Sequence, residues 1–88
     1  MIGGVTKSGF AYELEPEALD DYELLELLQQ VDDGQTLAIM RVAPRLLGAD
    51  QTAALKEHIR GENGRVSATA MIAAVMEILN TTPQGKNS

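Results

Sequence analysis

Few side chains in this sequence can do chemistry, and their spacing tests what each could do. His58 is the only histidine, and Glu62 follows it by four residues, a spacing that sets an imidazole beside a carboxylate on a continuous helix. Gly61 intervenes and is expected to end that helix, and no Ser, Cys or Asp constellation surrounds His58 by spacing. The acidic pairs Asp20, Asp21 and Asp32, Asp33 would suit a hard cation or a two-carboxylate acid and base. Each pair falls where a helix is expected to begin or end, so capping and turn formation account for both. Ile59 to Ala70 has the outline of a calcium loop. With Gly64 at its invariant sixth position, however, Ile59, Gly61, Asn63 and Ala70 take the ligand positions, and only Asn63 could supply a side-chain oxygen. Gly3 and Gly4 lack the helix and lysine that complete a phosphate-binding loop. The absence of cysteine removes thiol nucleophiles, thiolate metal sites and disulfides. The expectation is a protein that is not an enzyme, with no catalytic residues, no metal and no cofactor.

Composition narrows the class further. The 88 residues allow one domain with a modest core, 44% of them are hydrophobic, and the aromatic residues are Phe10, Tyr12 and Tyr22 alone. A core of Leu, Ile, Val, Met and Ala favours packed helices. Seven basic residues against thirteen acidic ones give a net charge of −6, and the cations are spread along the chain, so no nucleic-acid partner is expected. The longest apolar stretch, Ala68 to Leu79, would span about 18 Å as a helix against a bilayer core of about 30 Å, so no membrane span is expected. MIGGVTKSGF has one lysine and no continuous apolar run, and no signal peptide is expected.

The elements follow from periodicity and breakers. Residues 1–8 read as a flexible leader, residues 9–79 as a single helical domain and residues 80–88 as a disordered tail. Phe10, Tyr12 and Leu14 alternate with Ala11, Glu13 and Glu15, the pattern of a short strand. Such a strand must pair in a hairpin with the leader, lie across the helices, or add to another chain's edge. Pro16 ends it, Glu17 to Leu19 can form one turn, and Asp20 or Asp21 caps a helix running to about Val31, with Leu24, Leu27, Leu28 and Val31 inward and Leu25 widening the stripe. Asp32, Asp33 and Gly34 make a turn. A second segment from Gln35 or Thr36 carries Leu37, Ile39, Met40, Val42, Ala43, Leu46 and Leu47, with a kink expected near Ala43 because of Pro44. Gly48 stops it, and Asp50 caps a third helix to Arg60 whose Ala54, Leu55, His58 and Ile59 face inward. The fold expected is all-α: a small bundle of about four helices with a kinked second helix and, at most, a short N-terminal extended strand.

The last helix, capped by Ser67, is apolar nearly all round and carries one charge, Glu77. It reads either as the central element of the bundle or as a surface for another protein. Met71, Ile72, Val75 and Leu79 are expected in the core. Met40, Ala70, Ala73, Ala74 and Met76 are the candidate partner-binding residues, because alanine permits close approach and methionine supplies adaptable apolar surface.

Three blocks, KSGFAYELEPEALDDYELLELL (Lys7 to Leu28), LLGADQ (Leu46 to Gln51) and HIRGENGRV (His58 to Val66), resemble small tail assembly chaperones of long-tailed bacteriophages and prophages. The likeness extends over about residues 7–79, and Pro44 departs from the family pattern, in which a proline tends to lie earlier in the second segment. The resemblance implies a helical protein of the host bacterial cytoplasm that binds the tape measure protein, keeps it soluble during tail assembly and is absent from the finished virion. It further implies that a frameshifted longer form recruits the tail tube protein, and that many copies can coat the tape measure, which admits a homo-oligomer. Two other readings share the composition: a structural tail or connector component, and an acidic adaptor that inhibits a nucleic-acid-binding host protein.

Overall fold

The computed structural model describes residues 2–81. Alternation at Phe10, Tyr12 and Leu14 produces a strand, β2 (Ala11–Leu14), and these three side chains are buried. Its partner is the segment expected to be a flexible leader. β1 (Ile2–Val5) pairs with it antiparallel, with Ile2 opposite Leu14, Gly3 opposite Glu13, Gly4 opposite Tyr12 and Val5 opposite Ala11. The all-α expectation is therefore corrected to a helix-rich chain with a two-stranded antiparallel sheet, and residues 2–5 are strand. Glycine at position 4 leaves room for the Tyr12 ring, which lies across it where a Cβ would press on the phenol end of that side chain. In the turn, Thr6 N–H donates to the Phe10 carbonyl, Gly9 N–H donates to the Thr6 carbonyl, and Gly9 takes a φ of 96° that other residues resist.

The helices follow in order. α1 (Pro16–Leu19) is one turn opened by proline, and α2 (Tyr22–Asp32) is capped by Asp21, whose carboxylate accepts the Glu23 and Leu24 N–H groups at 3.0 and 3.2 Å. Leu24 is buried and Leu27, Leu28 and Val31 are half-buried, whereas Leu25, expected to widen this stripe, is 57% exposed. Gly34 turns the chain into a 3-10 turn (Thr36–Ala38) that leads into α3 (Ile39–Ile59).

α3 bends at Gly48, not at Ala43 as expected. Pro44 stays inside the helix, because it and Met40, whose carbonyl it leaves without a helical donor, both lie on the exposed side where water serves. Gly48 has φ 84° and ψ 164°, a region essentially confined to glycine. Asp50 does not cap the second arm. Gln51 Nε2 and Thr52 Oγ1 instead donate to the Leu47 and Gly48 carbonyls at 2.8 and 2.7 Å. On that arm Leu55 is fully buried and Ile59 half-buried, whereas Ala54 and His58, expected inward, are exposed.

α4 (Ala68–Thr81) begins where Ser67 Oγ accepts the Ala70 N–H at 3.1 Å. It is not the centre of the molecule. β2, α1, α2, the 3-10 turn and α4 all pack on α3, whose Ile39, Val42, Ala43, Leu46 and Leu47 recur at helical spacing and are buried. Asn80 and Thr81 still belong to α4, and the rest of the expected tail, from residue 82, lies outside the described residues.

Two consequences are measurable. Gly48→Ala forces a side chain into a glycine-only conformation and is expected to cost about 1–3 kcal/mol, read as a lower urea midpoint. Arg45 Nε and Nη2 donate to Asp21 at 2.7 and 3.2 Å, and this hydrogen bonding holds the Asp21 carboxyl below the usual carboxylate range. A depressed folded value means that the ionised carboxylate stabilises the fold above its ordinary pKa of about 3.9, and that this is lost as pH falls through the folded value. The urea midpoints of wild type and Asp21→Asn should therefore differ at neutral pH, begin to converge as pH falls below about 4, and meet only below the depressed folded value.

Candidate partner-binding groove

Several of the groups with chemical potential, Ser8, His58, Asp21, Asp33 and Asn63, are tied into the fold. Ser8 Oγ lies 3.0 Å from His58 Nε2, and the imidazole packs at a tilt on Phe10 with ring centroids 5.5 Å apart. A serine nucleophile needs a base that a third group orients, and among the described residues no carboxylate bonds His58. The contact ties the hairpin turn to the end of α3. Asp21 is a cap, and Asp33 accepts from Gln29 Nε2 at 3.0 Å at the end of α2. The Asn63 oxygen, the one side-chain ligand a calcium loop would have had, accepts the Arg65 N–H at 2.9 Å, and Arg60 Nη1 donates to the Gly64 carbonyl at 2.7 Å. Among the described residues no group of three or more His, Cys, Asp or Glu side chains is placed to hold a metal ion.

Two further ties explain residues that sequence reasoning left without a role. Glu77, the one charge of α4, accepts the Lys7 N–H of the hairpin turn at 2.7 Å. Gln51 grips the backbone of Glu13 from both sides: its oxygen accepts the Glu13 N–H and its nitrogen donates to the Glu13 carbonyl, each at 2.7 Å. Neither pairing has a local signal, since 70 and 38 residues separate the partners.

What remains open is an apolar groove of about 340 Å³ between the start of α3 and α4. Leu37 and Met40 form one lip, Ala68, Met71 and Ile72 the other, and Ile39, Ala43 and Val75 the floor. Lys56 is the one charged residue lining it. Leu37 and Met40 are 79% and 70% exposed, so large apolar side chains stand in water at its mouth. A larger depression near Gln30, Gly34 and Arg41 is more open and has a larger polar share in its lining, which makes it a poorer apolar site.

The expected contact residues divide. Met40 lines the groove, Ala73 is exposed, Ala70 and Met76 are half-buried, and Ala74 is buried in the core and closed to any partner of the folded chain. The core face of α4 is Ala74, Val75 and Ile78, so the helix is rotated from the expected stripe. Met71, Ile72 and Leu79 are only half-buried, and the first two face the groove. Leu37, which the sequence places in the second segment without giving it a face, stands in water. The missed signal was that residues 37–47 hold more apolar side chains than one buried face can take.

The division between lip and core can be measured by melting. Met40→Glu is expected to change stability by no more than about 0.5 kcal/mol, and Ile78→Ala to cost about 2–5 kcal/mol.

No protein-family model, curated protein or solved structure matches this chain.

Proposed function

We propose that this protein is a small tail assembly chaperone of a long-tailed bacteriophage or prophage, acting in the host bacterial cytoplasm to bind the tape measure protein and keep it soluble. The observation that carries the reading is the open apolar groove with Leu37 and Met40 at its mouth. Amphipathic helices dock in such grooves through apolar anchors at helical spacing, and an unassembled tape measure presents long stripes of such anchors. Lys56 at the wall suits a partner helix with an acidic flank. The net charge of −6 keeps a chain that covers apolar surface in solution. The block resemblance from Lys7 to Val66 supports the same assignment. Each groove takes only a few side chains, so retention of a long partner comes from many copies bound along it. Recruitment of the tail tube protein by a frameshifted longer form belongs to this proposal as its second step.

Co-expression with the tape measure protein of the same tail gene cluster tests it. Wild type should raise the soluble tape measure several-fold, and the double variant Leu37→Glu, Met40→Glu should abolish that gain while melting as wild type does. Equal solubility with and without the chain overturns the proposal. Mass spectrometry of mature particles that finds the chain at stoichiometric levels overturns it in favour of a structural tail component.

A further inference from the structure

The outer edge of β1 is an open hydrogen-bonding edge. In an antiparallel pair, successive residues turn their N–H and C=O groups alternately toward and away from the partner strand. Gln51 takes both backbone groups of Glu13 from outside the sheet, so Gly3 opposite Glu13 is a non-hydrogen-bonded position, and Val5 opposite Ala11 is another. The backbone groups of Gly3 and Val5 therefore point away from β2, and among the described residues nothing bonds them. Beyond Val5 the edge closes, because Thr6 N–H donates to Phe10 O and Lys7 N–H to Glu77. Natural edges are protected by lysine, proline or a bulge, and Ile2 to Val5 has none of these.

We propose that this edge pairs with the same edge of a second copy, joining two hairpins into a four-stranded antiparallel sheet. The register is fixed by which residues point outward: Gly3 of each copy exchanges two hydrogen bonds with Val5 of the other, and the two-fold axis passes between the Gly4 residues. No side chain stands at that axis. The edge is its own complement in that register, and charge at the contact permits a second copy. In a chain of net charge −6, residues 2–6 are uncharged, so self-pairing here brings no like charges into contact. The nearest acid on the solvent face is Glu13, opposite Gly3. In the paired sheet the two Glu13 residues lie three strand spacings apart and two residues out of line, roughly 16 Å, beyond the Debye length of about 8 Å. Val5, 66% exposed in the single chain, comes to lie diagonal to its counterpart and gains cover. The edge is remote in sequence from the groove residues, and the pairing does not depend on the chaperone reading.

Four backbone hydrogen bonds and two valines make a small interface, so pairing depends on concentration and is read by sedimentation equilibrium and amide exchange from about 10 μM to about 1 mM. The full chain should shift toward dimer across this range, with exchange at the Gly3 and Val5 amides slowed about tenfold at the top of it. Val5→Pro removes a donor that the folded monomer does not use and should leave the protein monomeric with an unchanged melting transition. Val5→Glu keeps the donor but places a carboxylate in the same row as Glu13 of the second copy. It should lose pairing at low salt and regain part of it at high salt, whereas Val5→Thr, β-branched and uncharged, should retain it. A wild type that stays monomeric throughout overturns the proposal, as does equal pairing by Val5→Glu and Val5→Thr at low salt. Protection of the two amides that arises only on adding another protein overturns it in favour of a foreign strand.

Discussion

The structure depends on one backbone conformation, the left-handed break at Gly48 in the helix that everything else packs on. A straight α3 would present one continuous apolar stripe. The break divides it into an arm bearing Ile39, Val42, Ala43, Leu46 and Leu47 and an arm bearing Leu55 and Ile59, so one element serves neighbours on different sides. The residues just past the break do two tasks at once. Gln51 and Thr52 take the carbonyls at the bend, and Gln51 also holds β2. A 9.5 kDa chain with three aromatic residues has little core to spare, and folding the longest helix around a glycine lets the same few leucines meet both sheet and helices.

The hairpin is held by polar ties at separate places, Gln51 on Glu13, His58 on Ser8 and Glu77 on the turn at Lys7, together with burial of Phe10, Tyr12 and Leu14. This accounts for the composition of α4. Its single carboxylate accepts from the hairpin turn, while Ala74, Val75 and Ile78 face the core and Ala68, Met71 and Ile72 line the groove. The core face and the groove wall thus belong to two faces of one helix.

Local features were legible in the sequence. The alternation at Phe10, Tyr12 and Leu14, the Asp21 and Ser67 caps and the turn at Gly34 each rest on residues within a few positions of one another. The misses required knowledge of distant partners. IGGV has no alternation of its own and becomes a strand by pairing with residues 11–14, with the Tyr12 ring lying across Gly4. Proline looked the stronger breaker, but near the start of a helix with a solvated carbonyl it is tolerated, whereas Gly48 adopts a conformation closed to other residues. The rotation of α4, which buried Ala74 and opened Met71 and Ile72 to the groove, is set by contacts with α3 and by the Glu77 tether. Periodicity reports that a helix has an apolar side, and it reports poorly which side when nearly every side qualifies.

The grip of Gln51 on Glu13 makes the hairpin lopsided. One margin of the sheet is occupied at its centre by a side chain of the same molecule, and among the described residues the other is bare. A sheet with two bare margins can template strand upon strand without limit, which is the route to fibrils. A molecule with a single templating margin can join once and then presents nothing further to copy. For a small acidic protein with apolar side chains standing in solvent, that asymmetry separates a finite assembly from an aggregate, and one glutamine amide supplies it.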